Sequence, residues 1–371
     1  MKAAERPLQR PRDARLLVID AAGTLRHAPR ARLADFLRPG DVLVANDAAT
    51  LPASLAGTHE RTGRRIEVRL AGRASLASDD VREFTAVLFG EGDYRIRTED
   101  RPLPPHVGPG DRLKLGALCA TVLRVLDHPR LVALRFEGAP DAIWAGIARH
   151  GKPIQYAHVR EPLKLWDVWT CVAALPVAFE PPSAGFVLDW ALLAALKARG
   201  VGFATLTQAA GLSSTGDAAL DARLPLPEPY RIAQATVDAI RGARGRGARV
   251  VALGTTVVRA LEHAASAGVL RAGDGLADER IGPATALRVV DAIVSGTHEP
   301  GTSHYDLMRA FASDDVLERA AGELESQGYL THEFGDSVLL ERAALDARQA
   351  RVTPDAGQCG DRRAHECPAP A

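Results

Sequence analysis

The strongest constraint on this chain is a change of pattern between residues 57 and 137, where helical spacing disappears. Short β-like runs at 66–70, 84–89, 94–97, 112–115, 120–126 and 131–136 follow one another, separated by Gly, Pro and Asp. A Pro109-Gly110-Asp111 turn stands among them, where Pro fixes φ and Gly frees it. Several short strands with turn signals and no 3.6-residue period read as a small β-barrel or sandwich. Strand and helix signals stand on both sides of it. The reading is an α/β (α+β mixed) main domain made of residues 1–57 and 141–345, with a small β-barrel-like domain inserted at 58–140. Residues 346–371 are rich in Pro, Gly and charge and are expected to form a disordered tail.

Outside the insertion, strands are expected at 15–20, 42–45, 201–206, 250–253 and 287–294, with a turn and a last strand at 334–340. Helices are expected at 188–199, 232–243, 257–263, 305–311 and 314–327. The small, polar stretch 209–217 is a loop long enough to close over a ligand.

Lys plus Arg and Asp plus Glu number 46 each, so no global basic field exists, and a nucleic acid would have to meet a local patch. Arg-rich runs at 61–65 and 241–249 offer such patches, although a solvated helix end explains the second equally well. Four cysteines (Cys119, Cys171, Cys359, Cys367) lack CxxC spacing, which argues against a zinc site and a disulfide framework. The first 15 residues carry charge without the apolar core of a signal peptide, and no apolar run approaches membrane-spanning length. The expectation is a cytoplasmic protein, monomeric or weakly associating, with no metal.

Functional signals gather around residues 250–263. An apolar strand, a turn of Gly254, Thr255 and Thr256, and a helix start make a corner whose free N–H groups and dipole point the same way. Such a corner is either an anion site or a plain helix cap. Arg259 would add donors to it. Asn46 and Asp47 follow the 42–45 strand at its carboxyl end, where α/β folds place ligand contacts, or else simply begin a turn.

Taken in order, these motifs resemble one family, the S-adenosylmethionine:tRNA ribosyltransferase-isomerases of queuosine biosynthesis. The resemblance runs over residues 5–341 and rests on segments 11–20, 37–57, 181–193, 228–232 (EPYRI), 250–262 (VVALGTTVVRALE), 289–303 and 334–340 (FGDSVLL). It implies an α/β domain interrupted by a small β-barrel-like domain. It also implies an enzyme that moves the ribosyl part of S-adenosylmethionine to a deazaguanine base in tRNA, with loss of adenine and methionine. The sulfonium acidifies its neighbouring C–H bonds and makes methionine a good leaving group. No cofactor is therefore implied beyond S-adenosylmethionine as co-substrate, and the implied partner is the anticodon loop of tRNA.

On this resemblance His298 is the candidate general acid or base, because imidazole titrates near neutrality; read alone it is a surface-loop histidine. Glu228 is the second catalytic candidate, a counter-charge to the sulfonium or a methionine ammonium. Gly254, Thr255, Thr256 and Arg259 would hold a carboxylate or phosphate, and Asn46 and Asp47 the ribose hydroxyls. Phe186 and Trp190 could stack on a base but fit a helix core as well. His304 has no counterpart in the family motif. Three family histidines are replaced, at Val187, Thr207 and Leu226. Those losses leave an alternative, a diverged paralogue that keeps the fold and nucleoside or S-adenosylmethionine binding but has different or no catalytic activity.

Overall fold

The computed structural model describes residues 1–343, so the tail expected at 346–371 lies outside the described residues. Val42–Asn46 and Val250–Leu253 are buried at every position, as strands covered on both faces must be. With Gly202–Gln208 and Ala292–Gly296 they form the parallel centre of a nine-stranded sheet. Outward on one side come Glu228–Ile232 and Gly273–Ala277; on the other come Ser337–Glu341, Arg15–Ile19 and Leu25–Pro29. Val250 lies opposite Val42, while Leu253 lies opposite both Ala45 and Val294. The carboxyl ends of the central strands are therefore level along one edge.

The helices Gln234–Gly245, Thr255–Ala264 and Asp314–Ser326 cover one face through Val237, Ile240, Val257, Leu261 and Leu317. The helix Trp190–Ala198 and the 3₁₀ turn Arg30–Phe36 cover the other through Leu192, Leu196 and Leu33. The strand expected at 287–294 begins only at Ala292. Ahead of it the N–H groups of Arg288, Val289 and Val290 donate to the Glu262 carboxylate at 2.6, 3.0 and 2.9 Å, which diverts them from any ladder.

The insertion is a closed six-stranded barrel. Ser54–His59 pairs with Arg65–Gly72 on one side and with Arg112–Leu115 on the other; Glu83–Phe89, Leu131–Phe136 and Leu118–Val125 complete the circuit. At the closing seam a Cβ on Gly57 would lie 2.1 Å from the Lys114 carbonyl oxygen, so only glycine permits the approach. The barrel sheet begins ahead of residue 58, and Gly151–Lys152 adds a short strand against Ser54–His59. The β-like run at 94–97 is not a strand. The Asp93 carboxylate accepts the Arg95 N–H at 2.9 Å, turning the chain toward the 3₁₀ turn Thr98–Asp100.

Aromatic residues join the two bodies. Phe84 packs edge-on to Phe136 at 5.8 Å and to Phe179 at 6.2 Å, and Phe179 follows the strand Leu175–Ala178 outside the barrel. Among the described residues, no helix is long and apolar enough to cross a membrane.

Candidate active site

Loops leaving the level strand ends enclose a cavity. One wall is the corner at Gly254, whose φ of 98° suits glycine and whose N–H donates to the Val294 carbonyl at 2.8 Å. The helix Thr255–Ala264 then starts with no side-chain cap. Its first N–H groups have no acceptor within the helix, and the positive end of the dipole adds to them. Thr255 and Thr256 line the cavity at this point.

Asn46 and Asp47 do not line it. The Asn46 carboxamide oxygen accepts the N–H groups of Ala48 and Gln208, both at 3.0 Å, and its Nδ2 donates to the Gln208 carbonyl at 2.9 Å and to Thr256 Oγ1 at 3.4 Å. The Asp47 carboxylate accepts the Thr205 and Thr207 hydroxyls at 2.7 and 2.6 Å. Both side chains stitch neighbouring strands together behind the cavity wall.

Glu228 and Arg259 do line it, as a buried ion pair in which each residue is 5% exposed. Arg259 Nη1 and Gln208 Nε2 both donate to Glu228 Oε2, the latter at 2.5 Å; the Gly211 N–H donates to Oε1 at 2.7 Å. Arg259 Nη2 donates to the Ala277 carbonyl at 2.9 Å, while Nε has no partner among the described residues. The carboxylate is saturated by its own protein, and most of the guanidinium is too.

His298 closes the next wall. Its Nε2 lies 2.7 Å from Ser295 Oγ, and its ring stacks on His304 with centroids 4.8 Å apart. Desolvation pushes the His298 imidazole well below its ordinary value, and the nearby His304 and His332 rings act in the same direction. Desolvation, aided by the Arg259 charge, also brings His304 down to about 4. At neutral pH His298 is therefore a neutral imidazole, a base rather than an acid.

A pH dependence of stability follows. Between the ordinary imidazole value of 6.5 and about 4, the unfolded chain takes up a proton that folded His304 refuses. The His304 contribution to stability is expected to hold above pH 6.5 and to be lost as pH falls toward 4, with His298 acting in the same sense and Glu180, whose carboxyl burial raises from 4.5 to about 7, acting in the opposite sense. By urea midpoints across this range, the stability of the parent relative to His304→Phe should fall on acidification. A difference between parent and variant that does not change with pH would refute the assignment.

Glu180 completes the cavity and escaped the sequence reading. The Tyr156 hydroxyl donates to its Oε1 and the Ser213 N–H to its Oε2 at 3.0 Å. Burial pushes this carboxyl up to about 7, and the Tyr156 hydroxyl is raised as well. The only sequence signal was an acid between Phe179 and Pro181-Pro182.

The other candidates fall elsewhere. Val187 packs in the core beneath the helix Trp190–Ala198, Thr207 bonds to Asp47, and Leu226 packs against the barrel core; none of the three lines the cavity. Phe186 is buried face to face with Phe334 at 5.3 Å, and Trp190 is 78% exposed. Of the arginine runs, Arg61 pairs with Asp111 and Arg65 with Glu91, whereas Arg249 bridges Asp41 and Glu341.

Fold and site together define a class: an α/β protein with a barrel insertion and a polar cavity at its strand ends, furnished with an uncapped helix start, a neutral imidazole and a buried carboxyl. The family model described as "Queuosine biosynthesis protein" matches residues 1–340, and the chain belongs to this family. The S-adenosylmethionine:tRNA ribosyltransferase-isomerase of Azoarcus sp. (strain BH72) is 34% identical over 346 residues, covering 91% of this chain and 94% of that protein. The protein of the same name from Pelobacter propionicus is 33% identical over 338 residues, covering 88% and 92%. The crystal structure of S-adenosylmethionine tRNA ribosyltransferase from Thermotoga maritima has 26% identity and a TM-score of 0.48, covering 91% of this chain and 95% of that one.

Proposed function

We propose that this chain is an S-adenosylmethionine:tRNA ribosyltransferase-isomerase that moves the ribosyl part of S-adenosylmethionine onto an aminomethyl-deazaguanine base in tRNA, releasing adenine and methionine. One observation carries the reading. In a chain that matches the family from residue 1 to 340, His298, Glu180 and the Thr255–Thr256 helix start converge on a single cavity. Val187, Thr207 and Leu226, which stand where the family has histidines, are not among the residues that line this cavity.

In this proposal neutral His298 accepts the proton from a ribose carbon acidified by the sulfonium. The Glu180 carboxyl, held near neutrality, gives a proton to the departing adenine, so one proton is taken and one returned. The first N–H groups of the helix Thr255–Ala264, with the Thr255 and Thr256 hydroxyls, hold polar atoms of the co-substrate. Glu228 serves by fixing Arg259 in the wall, Asn46 by fixing Gln208 and Thr256 from behind, and Asp47 by holding Thr205 and Thr207. The tRNA offers its anticodon loop, with the base splayed into the cavity. The protein works as a cytoplasmic monomer.

The decisive experiment incubates the protein with S-adenosylmethionine and tRNA carrying the aminomethyl-deazaguanine, and quantifies free adenine by chromatography. Adenine released in step with nucleoside conversion is expected. No adenine above background would overturn the proposal.

A further inference from the structure

Beside the cavity, and using none of its residues, stands a second cluster of ligating groups: His158, His332 and Glu333. We propose that these three side chains form a binding site for a divalent transition-metal ion of the zinc class. His158 Nε2 lies 3.1 Å from Glu333 Oε2, and one ligand atom from each of the three residues lies within 4.8 Å of the others. Around a tetrahedral zinc ion, ligand atoms stand roughly 3.4 Å apart. The first pair is close to that spacing, and His332, exposed to solvent, presents a ligand atom within 4.8 Å of both. Two imidazoles and a carboxylate are a three-ligand set that leaves zinc a fourth position, filled by water or an oxygen ligand.

The backbone supports a purpose beyond an ordinary His–Glu hydrogen bond. His332 has φ of 67° and is the one residue other than glycine with positive φ among the described residues. A left-handed conformation is uncommon for a residue with a side chain, and here it places the imidazole over His158, with centroids 4.4 Å apart and planes 21° apart. Both loops are also held from behind. Gln155 Nε2 donates to the carbonyls of Val159 and Glu161, each at 2.7 Å, around His158. The Asp336 carboxylate accepts the N–H groups of Arg15 and Leu330 at 2.7 and 2.8 Å, around His332 and Glu333. Pinned loops that present three ligands are what a preorganised metal site requires. The absence of CxxC spacing says nothing against it, since no cysteine takes part.

The test is isothermal titration of the chelator-treated full chain with Zn²⁺ alone, in a background with Cys359→Ser and Cys367→Ser so that those thiols do not compete. One equivalent of Zn²⁺ is expected to bind and to raise the melting temperature, while Mg²⁺ does neither. His158→Ala, Glu333→Gln and His332→Gly should each weaken binding roughly tenfold or more. His332→Gly also serves as the folding control: it relieves the positive φ, so without metal its melting temperature should equal or exceed that of the parent. Absence of saturable Zn²⁺ binding in the parent, or undiminished binding in a folded His332→Gly variant, would overturn the proposal. Both readouts are independent of adenine release.

Discussion

Replacing His298 by alanine is expected to lower adenine release roughly 10²–10⁴-fold, the usual contribution of a positioned general base. The fold should survive. The ring is half-buried, and its removal costs the stacking contact with His304 and one hydrogen bond, to Ser295 Oγ, worth about 0.5–1.5 kcal/mol. The loss should fall on kcat rather than KM, because the imidazole acts on the proton in flight and not on the bound ground state. Ser295→Ala, which frees Nε2 without removing it, should produce a much smaller loss. Adenine release at the parental rate from a folded His298→Ala protein would exclude this residue from the chemistry.

The second large effect is on stability. Glu228→Gln should destabilise the protein by about 3–5 kcal/mol, because it strands the buried Arg259 charge. The new amide could still accept the Gly211 N–H through its oxygen. Its NH₂ would then face two donors, Arg259 Nη1 and Gln208 Nε2, in place of the acceptor they share. A double variant, Glu228→Gln with Arg259→Met, should recover most of the loss, since removing both members of a buried pair often costs little. Urea midpoints of parent, single and double variants decide the matter. A Glu228→Gln protein of parental stability and no activity would instead make Glu228 a catalytic residue.

These two residues also mark how far the sequence could be read. His298 and Glu228 both reach the cavity, but spacing could not reveal that Arg259, one turn into a helix, would occupy the carboxylate of a strand residue 31 positions earlier. The rule that ligands sit at strand carboxyl ends located the correct edge. It could not tell that Asn46 and Asp47 would turn toward Gln208, Thr205 and Thr207. Barrel strands such as Arg112–Leu115, with its strict exposed–buried alternation, announce themselves. The run at 94–97 alternates too, but Asp93 captures its backbone first. Glu180 and the His158–His332–Glu333 group were invisible for a simpler reason. Each depends on partners brought together by closure of distant loops, and no local pattern encodes that closure.

Phe179 and Glu180 are consecutive, yet one is sunk in the barrel's aromatic core against Phe84 and the other faces the cavity. This peptide unit ties a barrel contact to a cavity contact, beside Ala178, Ala209 and Ala210, which pack into the same core. Substitutions deep in the barrel, remote from the cavity in sequence, have a mechanical route to it. Substitutions that displace Phe84 or Phe136 are expected to move Phe179 and, through the adjoining peptide, the Glu180 carboxyl.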